Sequence, residues 1–268
     1  MIEKIKMVSK KMRIKAIEMA YNAGNYGAHL GGGLSAIEIF AVLYHFVLNI
    51  DSNNPDNDSR DRLILSKGHA VLAYYTALES VGFLTQDDLN NFETNGFFLH
   101  GHAARKITKG IEFSGGSLGL GVSFGVGVAM ALKKRGSKSS VYIIVGDGEC
   151  DEGIVWEALM SASHFKLNNI TVIVDHNKLQ SDGTIQDIMN LEPLSKKFEA
   201  FGFYVQEIDG HNIEQLCNVF QARNNARPNV IIAHTIKGKG VSFIENRKEW
   251  HHSKLSQKQY EQAIEELQ

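Results

Sequence analysis

Two short stretches of this chain carry residue types that could hold a cation beside an anionic ligand. In the first, Val141-Tyr142-Ile143-Ile144-Val145 runs straight into Gly146-Asp147-Gly148, and Glu149-Cys150-Asp151-Glu152-Gly153 follows where a helix should open. Glycines on both sides of an Asp at a strand end let the backbone approach an anion, and the next helix N-terminus offers free N–H groups and a favourable dipole. Alone, Gly-Asp-Gly is equally a turn with a solvated or capping Asp. The second stretch changes the weight: Ile170-Thr171-Val172-Ile173-Val174 ends in Asp175-His176-Asn177-Lys178, with Asn177 thirty positions beyond Asp147. In a parallel sheet, neighbouring strand ends put Asp147 and Asn177 side by side. A carboxylate and an amide oxygen together suit a hard cation, Mg²⁺ or Ca²⁺.

Histidines and glycines supply the other candidates. Ser66-Lys67-Gly68-His69-Ala70 lies at a strand end and helix start, where an imidazole can meet a phosphate. His100-Gly101-His102 offers two imidazoles, but that spacing in an irregular loop, without a Cys or a third His, argues against zinc. Glycine-rich runs occupy 24–33 and 114–121, and Trp250-His251-His252 lies near the end.

The elements that must position these residues follow from periodicity. Apolar residues at helical spacing mark helices at 12–21 and 34–48, the second with Ser35 and Glu38 as a capping box. A strand at 62–66 leads into a helix at 68–81, and Thr85 with Asp88 starts a short helix within 84–95 before an irregular stretch, 96–116. From Leu118 the chain alternates: helix to Lys134, strand 141–145, helix 153–165, strand 170–174, and a long loop through Leu191. A helix to about Phe201, strand 204–208, helix 213–226 and strand 230–233 complete the pattern. Near-continuous β-branched strands between helices imply an α/β fold, a mostly parallel sheet with helices on both faces, whose ligands gather at the carboxyl ends of the strands. No repeat or linker interrupts 1–268, so a single domain is expected, with 245–253 a mobile or partner-facing segment before a last helix.

Composition narrows the function classes. The 28 basic and 30 acidic side chains leave a formal charge of −2 without blocks of either sign, which disfavours nucleic-acid or anionic-membrane partners. Only Cys150 and Cys217 are present, far apart and in no metal-ligand spacing, which argues against a disulfide framework and leads to a cytoplasmic location being expected. No apolar run suggests a signal peptide or a bilayer span. With 25 glycines and three prolines, the composition favours close backbone approach to a ligand.

Gly146-Asp147-Gly148 with Asn177 thirty residues on resembles the thiamine diphosphate signature, and Asn177-Lys178-Leu179-Gln180-Ser181-Asp182-Gly183 is similar to its transketolase version. The resemblance implies a diphosphate-binding (PP-type) module. It also implies that Asp147, the Asn177 side chain and the Leu179 carbonyl bind Mg²⁺, that Gly148 gives an N–H to the diphosphate, and that Glu152 communicates with a partner half. By the same resemblance, His69 contacts the diphosphate and His102 lies near the thiazolium. Gly116 and Leu118 present backbone to the aminopyrimidine, and His251 contacts the diphosphate or the donor sugar. One departure is expected: Asn25 of Gly24-Asn25 stands where the family's first glycine-rich element carries a histidine, leaving His29 as a possible substitute.

The resemblance covers only the first module of a full-length transketolase, and the glutamate that activates the aminopyrimidine belongs to the second. A pyrimidine-binding partner subunit in an α₂β₂-like assembly is therefore expected, with 240–268 facing it. The expected activity is transfer of a two-carbon ketol unit between sugars or sugar phosphates. The alternatives are the α subunit of a thiamine-dependent 2-oxoacid dehydrogenase and a noncatalytic cofactor-binding homologue.

Overall fold

The structure is a computed structural model that describes residues 1–268. Five strands, β1 (Arg62–Leu65), β2 (Val141–Gly146), β3 (Ile170–His176), β4 (Tyr204–Asp209) and β5 (Asn229–His234), form one sheet in the order β1-β2-β3-β5-β4. Every pairing is parallel. All residues of β2 and β3 are buried, as the unbroken apolar runs require when helices cover both faces. The edge strand β4 is only partly buried, in keeping with its mixed sequence.

Side-chain alternation divides the interior between two cores. Ile143, Val145, Val172 and Val174 point into the smaller, under helices Leu120–Lys134, Gly153–His164 and Leu194–Ala200. Tyr142, Ile144, Ile173 and Ile231 point into the larger, built on helices Ile2–Asn22, Ile37–Val42, Val71–Ser80 and Ile213–Gln221. Each fully buried aliphatic side chain contributes about 1.5–3 kcal/mol. No helix is long and apolar enough to cross a membrane.

Several local expectations are altered by tertiary contacts. The span 34–48 is broken into helices Leu30–Ser35 and Ile37–Val42 and a π-turn, Leu43–Val47. Ser35 and Glu38 form no capping box: the Ser35 hydroxyl donates to Asp175 Oδ2 at 2.6 Å, while Glu38 pairs with Arg13 and His211 at 2.7 and 2.9 Å. The Thr85–Asp88 capping box is present at helix Gln86–Asn90. The loop through Leu191 carries a short helix, Ile185–Ile188, and the helix starting at Ile213 ends at Gln221. Residues 245–253 are tied into the fold, because Ala28 and Ser253 exchange backbone hydrogen bonds of 2.9 and 3.1 Å. Trp250 packs against the larger core.

The carboxyl ends of β1, β2, β3 and β5 share one side of the molecule, and the loops that follow them meet there. Helix Leu120–Lys134 is pressed onto the end of β1 by Gly121, where a Cβ would lie 2.6 Å from the Ser66 Cα.

Candidate active site

Register brings the first two predicted ligands together. Gly146 of β2 stands beside Asp175 of β3, so Asp147 and Asn177 leave adjacent strands and line one cavity of about 220 Å³. Asp147 Oδ1 accepts from Gly148 N at 2.8 Å, and its Oδ2 accepts from Lys178 N. Asn177 Oδ1 accepts from Leu179 N at 3.1 Å. The Leu179 carbonyl also faces this cavity, where it accepts from Lys237 Nζ at 3.0 Å, and the same ammonium donates to the Gln180 carbonyl at 2.9 Å. Burial, then the neighbouring Asp175 carboxylate, push the Asp147 carboxyl up to about 6. Burial, then Lys67, bring the Lys237 ammonium down to about 8.

Behind these groups lies a buried charge network. Lys67 pairs with Asp175, which also accepts from the Ser35 and Thr235 hydroxyls. Burial alone would raise the Asp175 carboxyl, but Lys67 and the two hydroxyls hold it below its ordinary value. Glu149 is equally enclosed: it accepts from the Ser66 hydroxyl, from Gly119 N at 2.7 Å and from Gly146 N at 3.1 Å. It thereby clamps the end of β1, the end of β2 and the 114–121 loop to one carboxylate.

The third component is a cluster of imidazoles from four segments. The His69 ring lies 4.6 Å from His29, 5.1 Å from His102 and 4.8 Å from His251, between ring centres. His252 stands 4.6 Å from His29 on the exposed side. The loop carrying His102 closes over the turn Gly68–Ala70 because residue 68 lacks a Cβ, which would sit 2.8 Å from His102 Nδ1 and 3.0 Å from Gly116 N. Burial first, then the adjacent imidazoles, lower His29 to about 2 and His69 to about 3. Burial, then Lys237, lowers His251 to about 4. Shifts in that direction favour the neutral form of all three rings at neutral pH, and a neutral imidazole offers one donor and one acceptor nitrogen.

Of the residues singled out from the sequence, Asp147, Gly148, Asn177, Leu179, Leu118, His69 and His251 line the cavity. His102 adjoins it through His69, and Gly116 lies against the His102 ring, 3.5 Å from its Cγ for a Cβ at position 116. Glu152 is not brought in: it is exposed at the start of helix Gly153–His164. Asn25 is exposed in the turn Gly24–Tyr26, and the buried histidine of that glycine-rich element is His29. Lys67, Lys237 and Glu149 are the residues that sequence reasoning did not assign to the site, and His29, considered there only as a substitute for the histidine absent at Asn25, is the one that the fold buries among the other imidazoles. A larger groove of about 790 Å³ shares Asn177 and Leu179 but is otherwise walled by residues such as His176, Glu192 and His234. The smaller cavity is the better candidate because both lysines, the paired strand-end ligands and two imidazoles converge there.

Comparison with known proteins bears on this arrangement directly. The family described as the transketolase thiamine diphosphate binding domain matches residues 4–267. The chain belongs to this family. It is 41% identical to an apulose-4-phosphate transketolase subunit of Actinobacillus succinogenes, covering 99% of this chain and 96% of that protein. It is likewise 41% identical to a 6-deoxy-6-sulfo-D-fructose transketolase subunit of a Clostridium species, covering 90% and 88%. The crystal structure of Campylobacter jejuni transketolase superposes with a TM-score of 0.91 at 32% identity, covering 98% of this chain and 42% of that one. The chain thus spans less than half of a full-length transketolase but nearly all of the subunit-sized relatives. These relatives carry transketolase names and not those of 2-oxoacid dehydrogenases.

The residues present fit the group that defines the transketolase domain. Three oxygen donors, from Asp147, Asn177 and Leu179, border the cavity together with the ammonium groups of Lys67 and Lys237. Hard oxygen ligands suit a divalent cation, and ammonium groups suit a diphosphate. Beyond them, the buried Nδ1 atoms of His29 and His102 have no hydrogen-bond partner in the protein, as expected of groups reserved for a ligand.

Proposed function

We propose that this chain is the diphosphate- and metal-binding subunit of a two-subunit transketolase-type enzyme that moves a two-carbon ketol unit between sugars or sugar phosphates. The observation that carries the reading is the convergence of Asp147, Asn177, Leu179, Lys67 and Lys237 with neutral imidazoles in one cavity. When bound, thiamine diphosphate supplies the carbon centre that accepts and releases the transferred unit. The protein's part is to hold and orient. The Asp147 carboxylate, the Asn177 amide oxygen and the Leu179 carbonyl would bind Mg²⁺, with Gly148, His69, Lys237 and His251 directed to the diphosphate. Gly116 and Leu118 would support the aminopyrimidine. His29 and His102 are suited to hydrogen-bond donor hydroxyls, because buried neutral imidazoles can both donate and accept.

The partner is a pyrimidine-binding subunit, in an α₂β₂ assembly. Support comes from the relatives' names, which describe single subunits of transketolases, and from this chain's coverage of only 42% of the Campylobacter enzyme. Leu120, Phe124 and Met160 are 46%, 39% and 57% exposed on two helices that pack against each other beside the site. An apolar surface of that kind suits burial by a permanent partner. Glu152, exposed at the start of helix Gly153–His164, would meet the same partner. The two free, buried thiols suit a cytoplasmic enzyme. The two relatives' names specify different sugars, so the donor is proposed only as a ketose or its phosphate. Calorimetric titration of the reconstituted complex with thiamine diphosphate and Mg²⁺ tests the metal assignment. Asp147→Ala is expected to leave no cofactor heat, and unchanged affinity would overturn it.

A further inference from the structure

We propose that His29, His69 and His102 form a binding site for a first-row transition-metal dication, with Zn²⁺ as its probe, in the cofactor-free chain. The proposal goes beyond the ketol-transfer reading, because it requires neither cofactor nor partner. In the sequence, His102 has only His100 near it, which disfavours zinc; folding supplies the missing ligands from two distant segments. One ligating nitrogen from each of His29, His69 and His102 lies within 4.8 Å of the others. The ring centres are 4.6, 4.9 and 5.1 Å apart. Two of these rings, His29 and His102, each bury an Nδ1 that no protein group satisfies, and His29 is 9% exposed. Buried polar atoms without partners are uncommon and mark places where a ligand completes the bonding.

Three imidazoles around an open fourth position are an established zinc set, and zinc ligands must be unprotonated. Nitrogens about 2.0–2.1 Å from a tetrahedral ion stand about 3.3 Å apart, so the widest pair must close by up to about 1.5 Å. Rotation of the imidazoles about their side-chain torsions must supply that movement. The neighbouring oxygen donors of Asp147 and Asn177 select a hard cation, whereas imidazoles select a borderline one, so two adjacent cation sites are sorted by ligand chemistry. The ammonium groups of Lys67 and Lys237, which line the same cavity as His69, oppose a cation there. A bound ion would occupy the space that the imidazoles otherwise offer to a sugar, so zinc should compete with the donor.

The test is calorimetric titration of Zn²⁺ into the metal-free 268-residue chain without cofactor, with Co²⁺ as a spectroscopic substitute. One equivalent is expected, with the visible absorption of a tetrahedral nitrogen-ligated Co²⁺. His29→Gln and His102→Gln should each weaken it about tenfold or more, by loss of a direct ligand. Asp147→Asn should leave zinc affinity unchanged while removing Mg²⁺-dependent cofactor binding, which separates this site from the ketol-transfer reading. The opposite results overturn the site: no zinc bound by the wild type, variants that bind like it, or binding abolished only by His234→Gln, where His176 and His234 nitrogens lie 3.1 Å apart. If a variant fails to fold, the wild-type imidazole ¹⁵N resonances decide. Those of His29, His69 and His102 shift together at one equivalent if the proposal holds, and stay in place if it does not.

Discussion

Asp147→Asn should make the metal-free chain more stable while removing its metal site. Burial and the Asp175 carboxylate raise the Asp147 carboxyl from 3.8 to about 6 in the folded protein. The folded state therefore holds a proton that the unfolded chain releases. The resulting penalty is absent below about 3.8, grows with rising pH, and is complete above about 6. Two pH units correspond to about 3 kcal/mol of destabilisation at neutral pH, at about 1.4 kcal/mol per unit. Asparagine carries no charge but can satisfy only one of the two N–H groups, from Gly148 and Lys178, that Asp147 now accepts. That loss costs about 1–2 kcal/mol. A net gain of about 1–2 kcal/mol remains, or roughly 2–6 °C in melting temperature for a chain of this size. At pH 4.5 the wild-type folded carboxyl is protonated, and the gain should shrink by about 2 kcal/mol and vanish. Thermal unfolding of both proteins at pH 7.5 and 4.5, without metal, measures this. A variant destabilised equally at both pH values would refute the buried-charge account of Asp147.

Other expectations follow from the same geometry. Lys237→Met removes an ammonium bonded to two carbonyls and should weaken cofactor binding to the reconstituted complex by about 10- to 100-fold. Because burial and Lys67 bring that ammonium down to about 8, wild-type affinity should fall from pH 7 to 9, and the methionine variant should not share this slope. Glu149→Ala strands the buried N–H groups of Gly119 and Gly146 and should cost about 2–5 kcal/mol in urea unfolding. Asn25→His, at an exposed turn outside the cavity, should change kcat/KM by less than about twofold, the range of ordinary surface substitutions.

The Asp147–Asn177 pair is readable from sequence because both residues end apolar strands, and parallel pairing of β2 with β3 needs no long-range information beyond those runs. The same rule points to Lys237, three residues past β5, and to Lys67 at the end of β1, although neither belongs to a recognisable metal pattern. What sequence does not reveal is which side chain a turn directs inward. Position 25 is four residues before His29, and the turn Gly24–Tyr26 leaves the first in water and the second buried. Ser35 shows the converse failure. Its spacing to Glu38 satisfies a local capping rule, but Asp175, from 140 residues away, takes its hydroxyl. Glu149 stands three residues from Glu152, the acid that the resemblance singles out, and only the closeness of Ser66, Gly119 and Gly146 distinguishes the buried carboxylate from the exposed one.

The central claim is that this chain holds the diphosphate end of the cofactor and needs a pyrimidine-binding partner for ketol transfer. Alone, it grips only the diphosphate–metal end, so its cofactor affinity should be weak. The direct measurement is turnover of a ketose donor by the chain, by the partner and by their mixture, each at saturating Mg²⁺ and thiamine diphosphate. Turnover should appear only in the mixture, together with a rise in cofactor affinity. Robust turnover by this chain alone, or a mixture that binds cofactor no better than its parts, would contradict the claim.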